Sequence, residues 1–267
     1  MYPLKRSSKI GFSSVIFFDE DYEEAVKLAE ELGVDAVELF LDYPQFDKSM
    51  KNIRNLQYHN IEYLVHLPIF DINFSSFKNR KKALKEIKAK LREITKYVPV
   101  RYATLHLGEK PLYNHKGFNK GLDRKILELE RQAVKNTVHS LQELRTFCRG
   151  KGIKLNVENL DSHKKYGSDP NELISFSRYA DGITYDVAHA YSLGYDIDHF
   201  LELIKDRINV VHCSDTVKGH DAHYPIGELD IPPEYYSKIR AEYFIIEPNP
   251  TDVDGLKLSV ERLRKVL

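Results

Sequence analysis

Short apolar runs alternate with longer amphipathic stretches from one end of the chain to the other. The short runs lie at 9–17, 36–41, 61–66, 102–107, 153–158, 182–187, 208–213 and 243–247, and their length and β-branched content predict strands. The stretches 21–33, 46–59, 77–97, 123–149, 170–180, 191–206, 233–240 and 254–266 have the spacing of helices. Gly33 follows the first of these as a stop signal. Gly150 and Gly152 follow the fourth, and Asp169-Pro170 opens the fifth with an N-cap and a first-turn proline.

Strict alternation of strands and helices predicts parallel strands joined by helical crossovers, the α/β class. Eight uninterrupted units favour closure into a (β/α)8 TIM barrel. No G-x-G-x-x-G turn follows the first strand, which argues against an open dinucleotide-binding sheet. With no linker or shift in composition, 1–267 reads as a single TIM-barrel domain.

In such a barrel the chemistry sits at the C-terminal ends of the strands. Six of the proposed strands end on a metal-ligand type of residue. These are His66, His106, Glu158, Asp186 with His189 just beyond it, His212 and Glu247; the loop after the seventh strand adds Asp221 and His223. A lone histidine in an apolar strand usually reads as a satisfied core residue. The same substitution at one end of six strands does not, because each unpartnered buried ionisable group costs several kcal/mol. Imidazole and carboxylate donors suit zinc best, and manganese and iron fit the same set. Two or three divalent ions are expected.

Other polar features read more plainly. His59, His139 and His199 fall within or at the ends of helices and read as surface residues. The run Lys78-Asn79-Arg80-Lys81-Lys82 reads as a solvated helix face. Cys213, the neighbour of His212, should point away from it into packing, because adjacent strand residues face opposite ways. The loops at 108–122 and 160–169 are long and lie on the expected active face. Lys110, Tyr113, His115, Lys116, Lys164, Lys165 and Tyr166 are available there to hold an anionic substrate; Lys110, Tyr113, Lys164 and Lys165 are the principal candidates.

Lys plus Arg balance Asp plus Glu at 40 each, so no global charge points to nucleic acid or a membrane. Two unspaced cysteines, Cys148 and Cys213, argue against a disulfide framework and a thiolate zinc site. No apolar run suits a signal peptide or a membrane span. The expectation is a soluble cytoplasmic protein, read as a monomer.

These segments together resemble the xylose isomerase-like TIM barrel superfamily, and within it the endonuclease IV branch (AP endonuclease family 2). The resemblance rests on His66-Leu67-Pro68, His106-Leu107-Gly108, Val157-Glu158-Asn159, Tyr185-Asp186-Val187-Ala188-His189-Ala190 and Gly194-Tyr195-Asp196. It continues through His212-Cys213-Ser214-Asp215, the stretch from Asp221-Ala222-His223 to Gly227-Glu228, and Ile245-Ile246-Glu247-Pro248. It implies up to three zinc ions. His66 and His106 would hold the first, with Glu158 bridging to the second. Asp186, His212 and Glu247 would complete the second, and His189, Asp221 and His223 would hold the third.

The implied reaction is hydrolysis of DNA at abasic sites, a repair activity, with Glu158 and Glu247 at the reacting centre. The superfamily also implies an alternative, a sugar or sugar-phosphate isomerase or epimerase using Glu158, Asp186, His212 and Glu247 around one cation, with the two glutamates moving protons. The sequence departs from the DNA enzymes in three places. Ile69 follows Pro68, where they carry a tyrosine. The segment between Asp215 and Asp221 is short and lacks the arginine beside the aspartate, and Leu160-Asp161-Ser162-His163-Lys164-Lys165 replaces a glycine-rich turn.

Overall fold

The computed structural model describes residues 8–70, 72–111 and 120–267. Its strands are β1 Lys9–Ser13, β2 Ala36–Phe40, β3 Glu62–His66, β4 Val100–Leu105, β5 Lys154–Glu158, β6 Gly182–Asp186, β7 Ile208–Cys213, β8 Asp215–Val217, β9 His220–Tyr224 and β10 Tyr243–Ile246. Eight of them, β1 to β7 and β10, pair in parallel and close into a barrel, while β8 and β9 form a separate antiparallel pair. The helices are α1 Tyr22–Leu32, α2 Gln45–Ser49, α3 Phe77–Ile94, α4 Lys120–Arg149, α5 Pro170–Ser177, α6 Val187–Ser192, α7 Ile197–Ile204 and α8 Val253–Val266. The expected (β/α)8 TIM barrel is the fold observed.

The period-two geometry of the strands divides the core. Odd-phase residues such as Val37, Leu39, Val65, Ala103, Leu155 and Val211 join the large apolar layer between barrel and helices. Residues facing the barrel interior, Ala36, Leu64, Tyr102, Val210, Tyr243 and Ile245, form a smaller cluster of their own. Two residues further along the same strands stand Glu38, His66, Thr104, His212 and Glu247. Polar groups therefore replace apolar ones inside the barrel toward its C-terminal end. Gly11 lets β1 close against β2, since a Cβ there would stand 2.4 Å from the Ala36 carbonyl oxygen.

The helix ends follow their sequence signals. Gly33 takes a left-handed φ of 62° after α1, and the Asp169 side chain accepts the N–H groups of Asn171 and Glu172 ahead of Pro170. Four segments differ from expectation. The first strand stops at Ser13, because Ser14 turns its hydroxyl to Gln45 Oε1 and accepts the Phe40 N–H, and Ser14–Phe17 form a 3-10 turn. The stretch 46–59 divides into α2 and a 3-10 segment, Ile53–Tyr58. The stretch 191–206 belongs to two helices, separated where Gly194 adopts φ 82° and Asp196 caps α7. The stretch 233–240 is a 3-10 segment, Pro233–Lys238. The β8–β9 hairpin has no counterpart in the periodicity, because its sequence is polar and short.

Candidate metal centre

Each strand-end residue singled out from the sequence lies on the inner phase of its strand or just beyond it. They gather into three groups whose ligand atoms lie within 4.8 Å of one another: His66, His106 and Glu158; Glu158, Asp186, His212 and Glu247; and His189, Asp221 and His223. Glu158 is common to the first two. Its Oε2 lies 2.9 Å from His106 Nε2 and 3.2 Å from His66 Nε2, while Oε1 stands 3.1 Å from His212 Nδ1. Glu247 Oε2 approaches the same His212 nitrogen at 3.3 Å. Asp221 Oδ2 sits between His189 Nε2 at 3.4 Å and His223 Nε2 at 3.1 Å.

Local structure orients these side chains. Asp186 ends β6 and caps α6, its Oδ1 accepting the His189 N–H at 2.7 Å. Asn159 clamps the same turn: its Nδ2 donates to the Asp186 carbonyl at 2.7 Å and its Oδ1 accepts the Asp186 N–H at 2.8 Å. Three of these histidines sit with Nδ1 against a backbone carbonyl: His66 at Leu67, His189 at Asn159 and His223 at Glu247. A carbonyl only accepts, so in each ring Nδ1 carries the hydrogen and Nε2 is left to face the carboxylates. The hairpin delivers Asp221 and His223. Ala222 N–H donates to Thr216 Oγ1, Asn249 Nδ2 donates to the Ala222 carbonyl, and His223 takes a φ of 47°, uncommon for a residue with a Cβ. Asp215 turns away from the centre; its carboxylate accepts the N–H groups of Thr216, Leu229 and Ile231 and ties the following loop.

Glu158, Asp186 and His212 are fully buried, whereas the side chains of His106, Glu247, Asp221 and His223 keep between 16% and 23% exposure. Of these, His106 opens on a cleft of about 570 Å³ lined also by Phe70, Asn73, Asn79, Lys82 and Lys165, whereas Asp221 lines a separate pocket with Asp161 and His163.

The charges answer one another. Burial disfavours the Glu158 carboxylate, but His212 and His106 hold its pKa well below the usual range. Burial pushes Asp186 up to about 7 against the pull of His189. Burial works against charge on His66 and His223, yet Glu158 and Asp221 respectively raise both to about 9. His189 and His212 are held well above the imidazole range, their carboxylate neighbours outweighing burial. His106 alone is pushed down, by burial. Protonated rings thus balance a dense set of carboxylates, which is work a cation does better. Asp186 Oδ2 and Asp221 Oδ1 are buried and without a hydrogen-bond partner. Orphaned carboxylate oxygens amid imidazoles at ligand spacing fit divalent cations, and the donor set is the one zinc, manganese and iron take.

The other candidates scatter. Lys165 lines the cleft and pairs with Asp161 at 2.6 Å. Lys110 pairs with Glu172 at 3.2 Å, and Lys164 is exposed outside the cleft lining. Tyr113, His115 and Lys116 lie outside the described residues. Lys82 and Asn79, from the run read as a solvated face, line the cleft beside His106. His139 and His199 are exposed, and His59 is partly buried against Glu30 at 3.1 Å. Cys213 packs in the apolar layer as expected.

Sequence reasoning missed Glu38. It is a fully buried carboxylate in the apolar run Ala36-Val37-Glu38-Leu39-Phe40, and its Oε1 lies 3.1 Å from His212 Nε2. The signal was a lone charge inside a strand rather than at its end.

A family profile described as xylose isomerase-like TIM barrel matches residues 26–265. The chain belongs to the xylose isomerase-like TIM barrel family. Within the family's reach, an uncharacterised protein of Methanocaldococcus jannaschii is 26% identical over 97% of this chain and 99% of its own length. A protein of Natranaerobius thermophilus named "Probable endonuclease 4" is 27% identical over 90% of this chain and 91% of its own. Among solved structures, a D-tagatose 3-epimerase-like protein superposes with a TM-score of 0.76 at 24% identity, covering 97% of this chain and 98% of that one, a likeness of fold. Members of the family are enzymes, among them endonucleases and sugar epimerases. No helix among the described residues is long and apolar enough to cross a membrane.

Proposed function

We propose that this protein is a metal-dependent phosphodiester hydrolase of the endonuclease IV type, cleaving DNA at abasic sites. The observation that carries the reading is the set of three potential ligand groups gathered at one end of the barrel, two of them sharing Glu158. A single-cation enzyme needs only Glu158, Asp186, His212 and Glu247. The remaining His66, His106, His189, Asp221 and His223 would then be surplus ionisable groups drawn into one buried centre at considerable cost. The low-identity relatives named as endonucleases support the same reading.

His66, His106 and Glu158 would hold one cation, Glu158, Asp186, His212 and Glu247 a second, and His189, Asp221 and His223 a third. When bound, such cations supply Lewis-acid stabilisation of the charge on a phosphoryl group in transfer. Zinc suits the donors best. The chain's own side chains do the rest. Glu158 and Glu247 face the reacting centre and balance its charge. Lys82 and Lys165 line the cleft and can donate to phosphate oxygens. Phe70, 59% exposed at the cleft edge, offers a flat apolar face next to the position where the DNA enzymes carry a tyrosine.

One observation favours a second reading, a sugar or sugar-phosphate epimerase. Glu158 and Glu247 both approach His212 Nδ1, at 3.1 and 3.3 Å, so two carboxylates flank one ligand set as proton movers on either side of a sugar carbonyl would. The likeness of fold to a D-tagatose 3-epimerase-like protein agrees with it.

The zinc-loaded protein, incubated with duplex DNA carrying a tetrahydrofuran abasic analogue and with the intact duplex, separates the readings. Nicking confined to the analogue is the expected result. An intact analogue duplex at full metal occupancy, with epimerisation of a ketose by the same preparation, would overturn the hydrolase.

A further inference from the structure

His212 is oriented differently from the other ligand histidines whose rings meet a backbone carbonyl. His66, His189 and His223 turn Nδ1 to a carbonyl and Nε2 inward. His212 presents Nδ1 to the carboxylates, at 3.1 Å from Glu158 and 3.3 Å from Glu247. Its Nε2 points down into the barrel, where no carbonyl meets it. What stands there is Glu38 Oε1 at 3.1 Å. Both atoms are fully buried and have no other hydrogen-bond partner; they stand within hydrogen-bond distance but out of line, so that a small rotation of the imidazole ring completes the bond.

Glu38 is itself held. Thr104 Oγ1 donates to its Oε2 at 3.1 Å, and Thr104 and Thr184 share a hydroxyl contact of 2.9 Å. Thr184 accepts from Asn156 Nδ2 at 3.3 Å, and Asn209 Nδ2 donates to Asn156 Oδ1 at 2.9 Å. A polar column thus rises through the barrel interior from β7, β5, β6 and β4 to Glu38 on β2. A carboxylate so deep, with one oxygen anchored and the other facing an imidazole nitrogen, has no solvent to serve.

We infer that Glu38 is a positioning residue: it receives the Nε2–H of His212 and so commits Nδ1 as the ligand nitrogen. The reason is tautomeric. A neutral imidazole carries one N–H, and a carboxylate partner holds it on the nitrogen that the metal does not use. A backbone carbonyl does this for the rim histidines, and at the base of the site only a side chain reaches. The inference rests on the cation reading of the centre and is independent of whether DNA or a sugar is the substrate.

The test uses the full-length protein titrated with zinc, with ¹⁵N-labelled histidine to read the ring nitrogens of His212 by long-range ¹H–¹⁵N correlation. Wild type should show zinc at Nδ1 and the proton on Nε2. Glu38→Leu should weaken zinc at this group by about 10- to 100-fold and lose the single Nε2–H state. Glu38→Gln, which keeps an acceptor oxygen, should retain the Nε2–H and lose less; it carries the test if the leucine variant does not fold. A purely structural role would lower thermal stability in chelator without moving affinity or tautomer, and that pattern would overturn the inference, as would wild-type behaviour of Glu38→Gln in both readouts. Wild type that takes up no zinc overturns the cation reading and this inference with it. Wild type that binds zinc through Nε2 of His212 overturns the inference alone.

Discussion

His106 Nε2 lies 2.9 Å from Glu158 Oε2, while the other oxygen of Glu158 faces His212 Nδ1 at 3.1 Å. One carboxylate therefore serves two ligand groups, and removing its charge should cost more than one cation position. Glu158→Gln is expected to lose at least one metal equivalent per chain, measured by elemental analysis after dialysis. His66→Ala and His223→Ala separate the functional readings. A hydrolase loses activity in both, as in Glu247→Ala. Sugar epimerisation that survives His66→Ala with one metal bound would point to the single-cation enzyme.

Cation uptake should release protons. Glu158 and Asp221 raise His66 and His223 to about 9 against burial, so at neutral pH both rings are protonated in the cation-free protein. A ligand nitrogen must be free, so apparent affinity rises with pH up to about 9 and then levels. The same shift contributes stability to the cation-free fold below about 6.5, lost as pH rises through about 9. Calorimetric titration in two buffers of different ionisation enthalpy at pH 7 should show net proton release. Equal heats in both buffers would contradict the assignment.

Asn159 should matter as much as a ligand while touching no cation. It makes two reciprocal bonds with the Asp186 backbone, at 2.7 and 2.8 Å, and its own carbonyl receives His189 Nδ1. Asn159→Ala leaves a buried N–H and a buried carbonyl unpaired. The expected loss is roughly 2–4 kcal/mol, from about 1–3 kcal/mol for each orphaned group with partial relaxation. Chemical denaturation in chelator measures it, and a change below about 0.5 kcal/mol would show that the turn is held by other means.

Acid should weaken the opposite end of the barrel through Asp181. Burial raises its pKa, but the Leu155 N–H, Arg149 and Arg145 outweigh this and lower it. A lowered folded pKa adds stability above the unfolded value and forfeits it as pH falls through the folded one. Asp181→Asn should therefore destabilise by roughly 1–2 kcal/mol at pH 7, the exposed Arg149 being screened, and the difference from wild type should shrink as acid protonates the carboxylate. A difference that stays constant into acid would assign the loss to packing.

Alternation of period-two and period-3.6 segments determined the barrel, because burying one face of eight strands and eight helices leaves few arrangements. The same periodicity determined that His66, His106, Glu158, Asp186, His212 and Glu247 share one end and one face, which made most of the centre readable in advance. Tertiary structure decided what depends on distance between strands. Glu38 lies mid-strand and gains its meaning only because β2 faces β7 across the interior. Lys82 lies in a helical run that reads as solvent-facing, and only the tertiary structure brings it to the cleft that His106 also lines. Asp221 and His223 were readable as ligand types in the loop after the seventh strand, but the hairpin that carries them has no hydrophobic pattern and is held by Thr216 and Asn249. Periodicity reports which way a side chain faces along its own element, whereas partners across a barrel are fixed by closure and register, which no local pattern encodes.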